Sequence, residues 1–249
     1  GWRLDGLKKG TLVVIPARLE STRLPRKPLL NIHGFPMIYW VAHRIKLAGI
    51  EDYVVATDSI EIMTVCSNYD IPAIMTSNKC KNGTERVAEV ALLMPYEYYC
   101  NVQGDEPFID KSSLEPLIAV FKNDTDHIID LASLKVKLTD VGEISNPNNV
   151  KVITDCNDFA LYFSRHPIPY QRTLETHVNY FKHVGIYAFR KQALLDFATM
   201  PITPLEASEK IECIRFLEYG KRIKMVETFS KIIGIDTPED LEKAKQIVK

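Results

Sequence analysis

Residues 11–15, TLVVI, are a short, continuous, β-branched apolar run, the pattern of a fully buried first strand. Met37 to Ala48 is apolar at helical spacing and stops at Gly49, a C-cap signal. Tyr53 to Thr57 reads as a second strand, closed by Asp58 and Ser59, which can cap a helix over Ile60 to Tyr69. Ile71 to Met75 is a third strand. A polar stretch from Thr76 to Gly83 then precedes a helix from Thr84 to Met94. Tyr98 to Gln103 is the next strand and runs into Gly104-Asp105-Glu106-Pro107, after which Lys111 to Lys122 is helical.

Strands that alternate with amphipathic helices predict an α/β fold: a mostly parallel sheet flanked by helices. Such sheets bind ligands at the carboxyl ends of their strands. The charged loops fall there, at Arg18 to Lys27, Asp58, Asn82 to Arg86 and Asp105. The pattern then changes. His127 to Val136 alternates weakly. Asn149 to Thr154 and Phe159 to Arg165 are strand-like runs joined by Asp155-Cys156-Asn157-Asp158, a hairpin turn composition. Residues 166–182 read as an irregular arm, and His183 to Arg190 as a strand. Glu206 to Tyr219 reads as one helix and Lys224 to Thr228 as a strand. A last helix starts with Thr237 as N-cap, Pro238 at N1 and Asp240 at N3. We expect a single domain over residues 10–249 with an elaboration around 146–190. Gly1 to Lys9 is set aside as a tag or flexible end.

Composition narrows the function. The chain has 249 residues, 46% hydrophobic and 25% charged, with a formal net charge of −1, so no global field points to nucleic acid or membrane. Its apolar runs are far too short to span a bilayer. The five cysteines (Cys66, Cys80, Cys100, Cys156 and Cys213) are scattered without CxxC spacing, which fits a reducing cytoplasm better than a disulfide framework or a zinc cluster.

Any anion binding must therefore be local, and Leu12 to Leu29 is where it concentrates. The apolar run breaks at Pro16 and then presents Arg18, Arg23, Arg26 and Lys27 with only Glu20 opposing them. The loop holds no glycine, so it is neither GxGxxG nor a Walker A loop. Charge alone leaves two readings: a solvated basic surface, or a place to hold phosphates. Asp105 stands just past a strand end, where a carboxylate is either a turn residue or a ligand for a hard cation such as Mg²⁺. Asp236, before the last helix, is either a helix-end carboxylate or a second such ligand. Together with the cationic loop the two make metal-assisted phosphoryl or nucleotidyl transfer coherent. His183 and Tyr187 share one face of a strand and either pack in the core or line a pocket. Lys151, Arg165 and Lys182 add cations nearby in sequence, as solvated surface or as a seat for an anionic second substrate.

The motifs VVIPARLESTRLPRKPL, GTERVAE (Gly83 to Glu89), NVQGDEP (Asn101 to Pro107), NPNNVKV (Asn146 to Val152), ALYFSR (Ala160 to Arg165), KHVGIYAFR (Lys182 to Arg190) and GIDTPEDL (Gly234 to Leu241) follow one another in fixed order. From about Thr11 to the C-terminus the chain resembles the 3-deoxy-manno-octulosonate (Kdo) cytidylyltransferases, the CMP-Kdo synthetase family. The resemblance implies a glycosyltransferase-A-like fold and a homodimer that uses the hairpin elaboration for contact. It implies Mg²⁺ and the cytoplasmic reaction CTP + Kdo → CMP-Kdo + pyrophosphate, a step of lipopolysaccharide biosynthesis. It further implies that Arg18, Lys27, Asp105 and Asp236 are catalytic, the two aspartates as metal ligands. Pro16, Ala17, Arg18, Arg23, Lys27, Thr76, Ser77, Gly83, Arg86 and Gln103 would bind the nucleotide. Arg165, His183, Tyr187 and Glu212 would face the sugar acid.

The chain departs from that family at several positions. Arg26 stands where the family usually has Gly, in LPGKPL. Cys80-Lys81-Asn82 replaces a frequent His-Gln-Ser before GTER. In PLEASEKIECIR (Pro204 to Arg215), Ala207 replaces a His and Cys213 a Gln beside Glu212. These changes leave the nucleotide and metal motifs intact and keep the acceptor open between Kdo, 8-amino-Kdo, another sugar acid and a phosphonate. A CMP-sugar-binding protein without catalysis is the other class of reading.

Overall fold

The apolar run at residues 11–15 is the centre of a longer strand in the computed structural model, which describes residues 8–231 and 234–247. This strand, β1 (Lys8–Ala17), is wholly buried from Leu12 to Ile15, as expected for a strand inside a parallel sheet. Of the end set aside in the sequence, residues 1–7 lie outside the described residues, and Lys8 and Lys9 open β1.

A 3₁₀ turn at Lys27–Leu29 comes next, then a small hairpin that the apolar pattern does not signal, β2 (Asn31–Ile32) and β3 (Phe35–Pro36). His33 and Gly34 both take positive φ at its tip, as a two-residue hairpin turn requires. The chain continues through α1 (Met37–Leu47), β4 (Tyr53–Thr57) and α2 (Ile60–Asn68), the last capped by Ser59, whose Oγ accepts from Ile62 N at 3.2 Å. After these stand β5 (Ala73–Met75), α3 (Gly83–Leu93), β6 (Tyr96–Asn101) and α4 (Lys111–Ile118). The strand expected at 98–103 thus ends two residues early, which leaves Gln103 in the loop beyond it. Pro116 sits inside α4, and the chain continues as a 3₁₀ turn over Ala119–Phe121.

The second half carries β7 (Leu131–Leu138), α5 (Val141–Ser145), β8 (Lys151–Thr154), β9 (Ala160–Ser164), β10 (Tyr180–Arg190), α6 (Lys191–Thr199), α7 (Pro204–Glu209), α8 (Ile214–Glu218) and β11 (Ile223–Glu227), and the chain closes with α9 (Pro238–Ile247). The single helix expected over 206–219 is two helices. Lys210 takes the left-handed conformation, φ 55°, ψ 47°, and ends α7. The described residues include no helix long and apolar enough to cross a membrane.

The chain groups into two compact units: the described parts of Gly1–Glu115 with Lys231–Lys249, and Pro116–Ser230. In the first unit the strands run in the order β6-β1-β4-β5, every neighbour parallel. Helix α3 packs on β1, β4 and β6, and α2 on β4 and β5. Beside this sheet Leu24, Ile32, Met37, Trp40, Phe108, Ile235 and Ala244 form one buried cluster. It anchors the basic loop through Leu24 and the segment before α9 through Ile235. In the second unit β11 pairs with β7 in parallel. The pairs β7–β10, β10–β8 and the hairpin β8–β9 are antiparallel. The tight turn read at 155–158 is present: Asp155 N donates to Phe159 O at 2.9 Å.

Candidate active site

Each charged loop of the first unit leaves the carboxyl end of a parallel strand. Arg18 follows β1, Thr76 follows β5, and Gln103, Gly104 and Asp105 follow β6. Asp236 arrives from the far end of the chain. Ile235 is fully buried, and its N–H donates to Asp105 O at 3.1 Å, which ties the two acidic segments together. The cap of α9 fixes the backbone on the other side of Asp236. Thr237 Oγ1 accepts from Asp240 N, and Asp240 Oδ2 accepts from Thr237 N and Asp236 N, all at 3.1 Å. This is a reciprocal cap with Asp in the place usually held by Glu or Gln.

Lys27 joins these segments. Its Nζ lies 3.0 Å from Asp105 Oδ2 and 3.0 Å from Asp236 Oδ1. Burial pushes the ammonium pKa down, but the two carboxylates more than offset it, so Lys27 titrates above an ordinary lysine. Burial pushes the Asp105 carboxyl up, against the pull of Lys27. Two carboxylates that converge on one cation are the oxygen donor set of a hard divalent ion that keeps its other positions for water and phosphate. The pair fits Mg²⁺.

Three adjoining cavities surround this centre. One of about 280 Å³ is lined by Pro16, Ala17, Arg18, Lys27, Gln103, Asp105 and Asp236. A second, about 230 Å³, is lined by Pro16, Ala17, Arg18, Cys80, Gly83, Arg86 and Gln103. A third, about 420 Å³, is flanked by Arg18, Arg23, Lys27 and Asp236. The structure therefore brings together most of the expected nucleotide residues. Thr76 and Ser77 join through Arg86, a buried guanidinium that donates to Thr76 Oγ1 at 2.7 Å and Ser77 O at 3.1 Å. Glu89, which is not among the expected site residues, accepts from Ser77 N at 2.9 Å and from the Cys80 thiol at 3.4 Å. Burial, with that carboxylate beside it, pushes the Cys80 thiol up to about 11.

Gln103 lines the first two cavities, and its carboxamide is closely approached by two residues. Nε2 donates to Oδ1 of Asn101, a fully buried residue at the end of β6, at 3.3 Å. On the other side is Gly83, the first residue of α3, where a Cβ would come within 2.9 Å of Nε2 and 3.2 Å of Oε1. Gly83 is thus explained by close approach. Asn101 is a site residue that neither charge nor spacing singles out.

Arg26 does not turn into these cavities. It takes the left-handed conformation, φ 59°, ψ 31°, and its guanidinium forms a two-pronged pair with Glu61 of α2, with Nη1 to Oε2 at 3.0 Å. A backbone of positive φ accounts for the glycine usual at this position.

The residues expected to meet a second substrate lie in the other unit. Tyr187 and His183 are ring neighbours on β10, centroids 5.5 Å apart, with Phe163 5.0 Å from His183. Burial, then the Lys182 charge, lowers the His183 pKa to about 4. Burial raises the Tyr187 phenol well above its ordinary value, with Cys213 bonded to it and Glu212 close by. Cys213 thus stands against Tyr187 where the family's Gln would be. Arg165 is laced into backbone: Nε donates to Glu209 O at 2.6 Å, Nη1 to Pro147 O at 2.9 Å and Nη2 to Lys210 O at 3.1 Å.

A parallel sheet with cations and carboxylates gathered at its strand ends defines an α/β protein built to hold a polyphosphate. Residues 12–223 match the sequence family described as cytidylyltransferase. The chain is 50% identical over 244 residues to the 3-deoxy-manno-octulosonate cytidylyltransferase of Christiangramia forsetii, which covers 97% of this chain and 98% of that protein. It is 45% identical over 239 residues to the enzyme of the same name from Fusobacterium nucleatum subsp. nucleatum, covering 96% of each. A solved structure of a CMP:2-keto-3-deoxy-manno-octonic acid synthetase complexed with CTP superposes with a TM-score of 0.91 at 38% identity, over 96% of this chain and 98% of that one. The chain belongs to the cytidylyltransferase family.

Proposed function

We propose that this chain transfers CMP from CTP to the anomeric hydroxyl of Kdo and releases pyrophosphate. The convergence of Lys27, Asp105 and Asp236 on one point beside the cavity lined by Arg18 and Gln103 carries this reading. The names of the relatives at 45–50% identity give the substrate. The sugar hydroxyl attacks the α-phosphorus in line against a polyanion, so catalysis is positioning and charge neutralisation. Arg18, Arg23 and Lys27 neutralise the triphosphate and the departing pyrophosphate. Asp105 and Asp236 hold Mg²⁺, which supplies Lewis-acid polarisation of phosphate oxygens when bound. Pro16, Ala17, Gly83, Arg86 and Gln103 shape the nucleotide cavities, with Thr76 and Ser77 held to them by Arg86. His183, Tyr187 and Glu212 face the sugar acid. Arg165 acts chiefly by bracing the turn before Glu212.

The working enzyme is a cytoplasmic homodimer. The hairpin expected to make the contact carries Leu161, and the arm that follows it carries Tyr170 and Leu174, each more than half exposed in the single chain. The test is pyrophosphate release from CTP in a screen of Kdo, 8-amino-Kdo, sialic-type acids and small phosphonates. Turnover with Kdo is expected. Turnover only with another acid would replace the acceptor and keep the reaction class. No turnover with any acid would sink the catalytic reading in favour of a nucleotide-binding protein. Asp105→Asn is expected to lower kcat by about a hundredfold or more, because it replaces a charged oxygen ligand with a neutral amide.

A further inference from the structure

Ser133 is a wholly buried residue on β7, and its place opposite an irregularity in β10 decides what its hydroxyl can do. The β7–β10 pairing runs regularly from Tyr180 to Val184, then shifts and resumes with Tyr187 opposite Ser133. The carbonyls of Val184 and Ile186, at the shift, lie 3.0 and 2.8 Å from Ser133 Oγ. Such irregularities take backbone groups out of the ladder, and a buried side chain can restore their partner. The third neighbour of Oγ is Nε2 of His183, at 2.8 Å.

A hydroxyl has one proton and two lone pairs, and a carbonyl oxygen can only accept. Donation to Nε2 instead would leave two carbonyl oxygens 3.0 and 2.8 Å from Oγ with no proton between them, so the Ser133 proton goes to a carbonyl. Its oxygen is then left to accept from His183, and the imidazole must carry a proton on Nε2. The ring packs against Phe163 and Tyr187, and the charged group that acts on it is Lys182. Burial and Lys182 act in the same sense and hold the imidazole neutral. In that tautomer Nδ1 bears the lone pair.

We propose that Ser133 is a positioning residue that holds the proton on Nε2 of His183 and so leaves Nδ1 as the acceptor His183 offers to a hydroxyl of the sugar acid. The proposal rests on the proposed function, in which His183 meets that substrate. It adds a residue outside the recognised motifs and fixes the direction of the hydrogen bond: a substrate hydroxyl donates to His183.

The experiment is ¹⁵N-histidine NMR of the full chain without substrate, combined with steady-state kinetics of Ser133→Ala. The wild type should show His183 as one neutral tautomer, with a pyrrole-like Nε2 and a pyridine-like Nδ1. Ser133→Ala should show a mixture of tautomers. Its KM for Kdo should rise about tenfold, the factor for one neutral hydrogen bond, with KM for CTP within twofold of wild type. If Ser133→Ala does not fold, Ser133→Cys, of similar shape and with a weaker acceptor, should give the same mixture. A proton on Nδ1 in the wild type overturns the proposal, as does an unchanged tautomer in the variant or an equal rise in both KM values. The NMR result needs no reaction. A wild type that makes no CMP-Kdo would therefore sink the functional reading while the tautomer result stood.

Discussion

At the scale of single residues, close approach and backbone handedness explain positions that charge cannot. Gly83 leaves room for the Gln103 carboxamide, whose other side is held by Asn101. The colliding atoms are the far end of a flexible side chain, so a methyl group at 83 displaces the amide rather than the fold. Alanine is also the better helix residue at the first position of α3. Gly83→Ala is therefore expected to keep or raise Tm while kcat/KM falls about tenfold, a loss of one or two oriented hydrogen bonds. In a Gln103→Ala background the same change should have no kinetic effect. Additive losses would show that Gly83 acts elsewhere. Arg26 poses the opposite case, a side chain in left-handed backbone at φ 59°, held by an exposed pair with Glu61. Exposed pairs contribute little. Truncation to Ala keeps the backbone strain and loses the pair, whereas Gly removes both. Arg26→Gly should thus be more stable than Arg26→Ala by about 1 kcal/mol in urea unfolding. Equal midpoints would mean that the handedness costs nothing here.

At the scale of elements, the break between α7 and α8 is the clearest product of tertiary context. The apolar spacing of Ile211, Ile214 and Leu217 suits one continuous helix, yet Lys210 reverses handedness and the chain turns. Arg165 holds that turn, spending one guanidinium on the carbonyls of Glu209, Lys210 and Pro147, while its own N–H donates to Glu209 Oε1 at 2.9 Å. Arg165→Ala should lower unfolding stability by about 1 kcal/mol, from three side-chain bonds lost together, one part-buried and two exposed. Arg165→Lys should not restore it, because a point charge cannot reach a fork of three acceptors. Full stability in either variant would return Arg165 to a purely substrate-facing role. Such bonds explain why legibility differed along the chain. The strand at 53–57 and the caps at Ser59 and Thr237 could be read directly, because local propensity and side-chain chemistry decide them. The helix break and the shift in β10 could not, because partners far away in sequence decide them; the hairpin at 31–36 is local, but its two-residue strands are too short to show an alternation. The same holds for the site. Its charges stand out in the motifs. Asn101 and Glu89 lie at the ends of two motifs but show a role only when the fold places them beside Gln103 and Ser77, while Ser133 lies outside every motif until β7 sets it beside His183.

At the scale of the molecule, the fold closes distances that the chain leaves wide. Lys27 and Asp236 are 209 positions apart in sequence, and they meet because α9 returns to the first unit and buries Ile235 and Ala244 with Leu24. Burial also makes stability depend on pH. His183 titrates at about 4 in the fold against 6.5 for an ordinary imidazole. Between those values the unfolded chain takes up a proton that the folded chain refuses. This contribution is complete above pH 6.5 and is lost as the pH falls toward 4, with an upper bound of about 3 kcal/mol. Asp105 works in the opposite sense, since a carboxyl whose folded pKa is raised favours the fold at low pH. The two are separated by comparing wild type with His183→Gln. Their difference in unfolding free energy should change steadily between pH 4 and 6.5, with the wild type gaining as pH rises, and should be flat above that range. A difference that does not vary with pH would mean that His183 takes up its proton as readily in the folded chain as in the unfolded one, and the burial argument for its lowered pKa would fall.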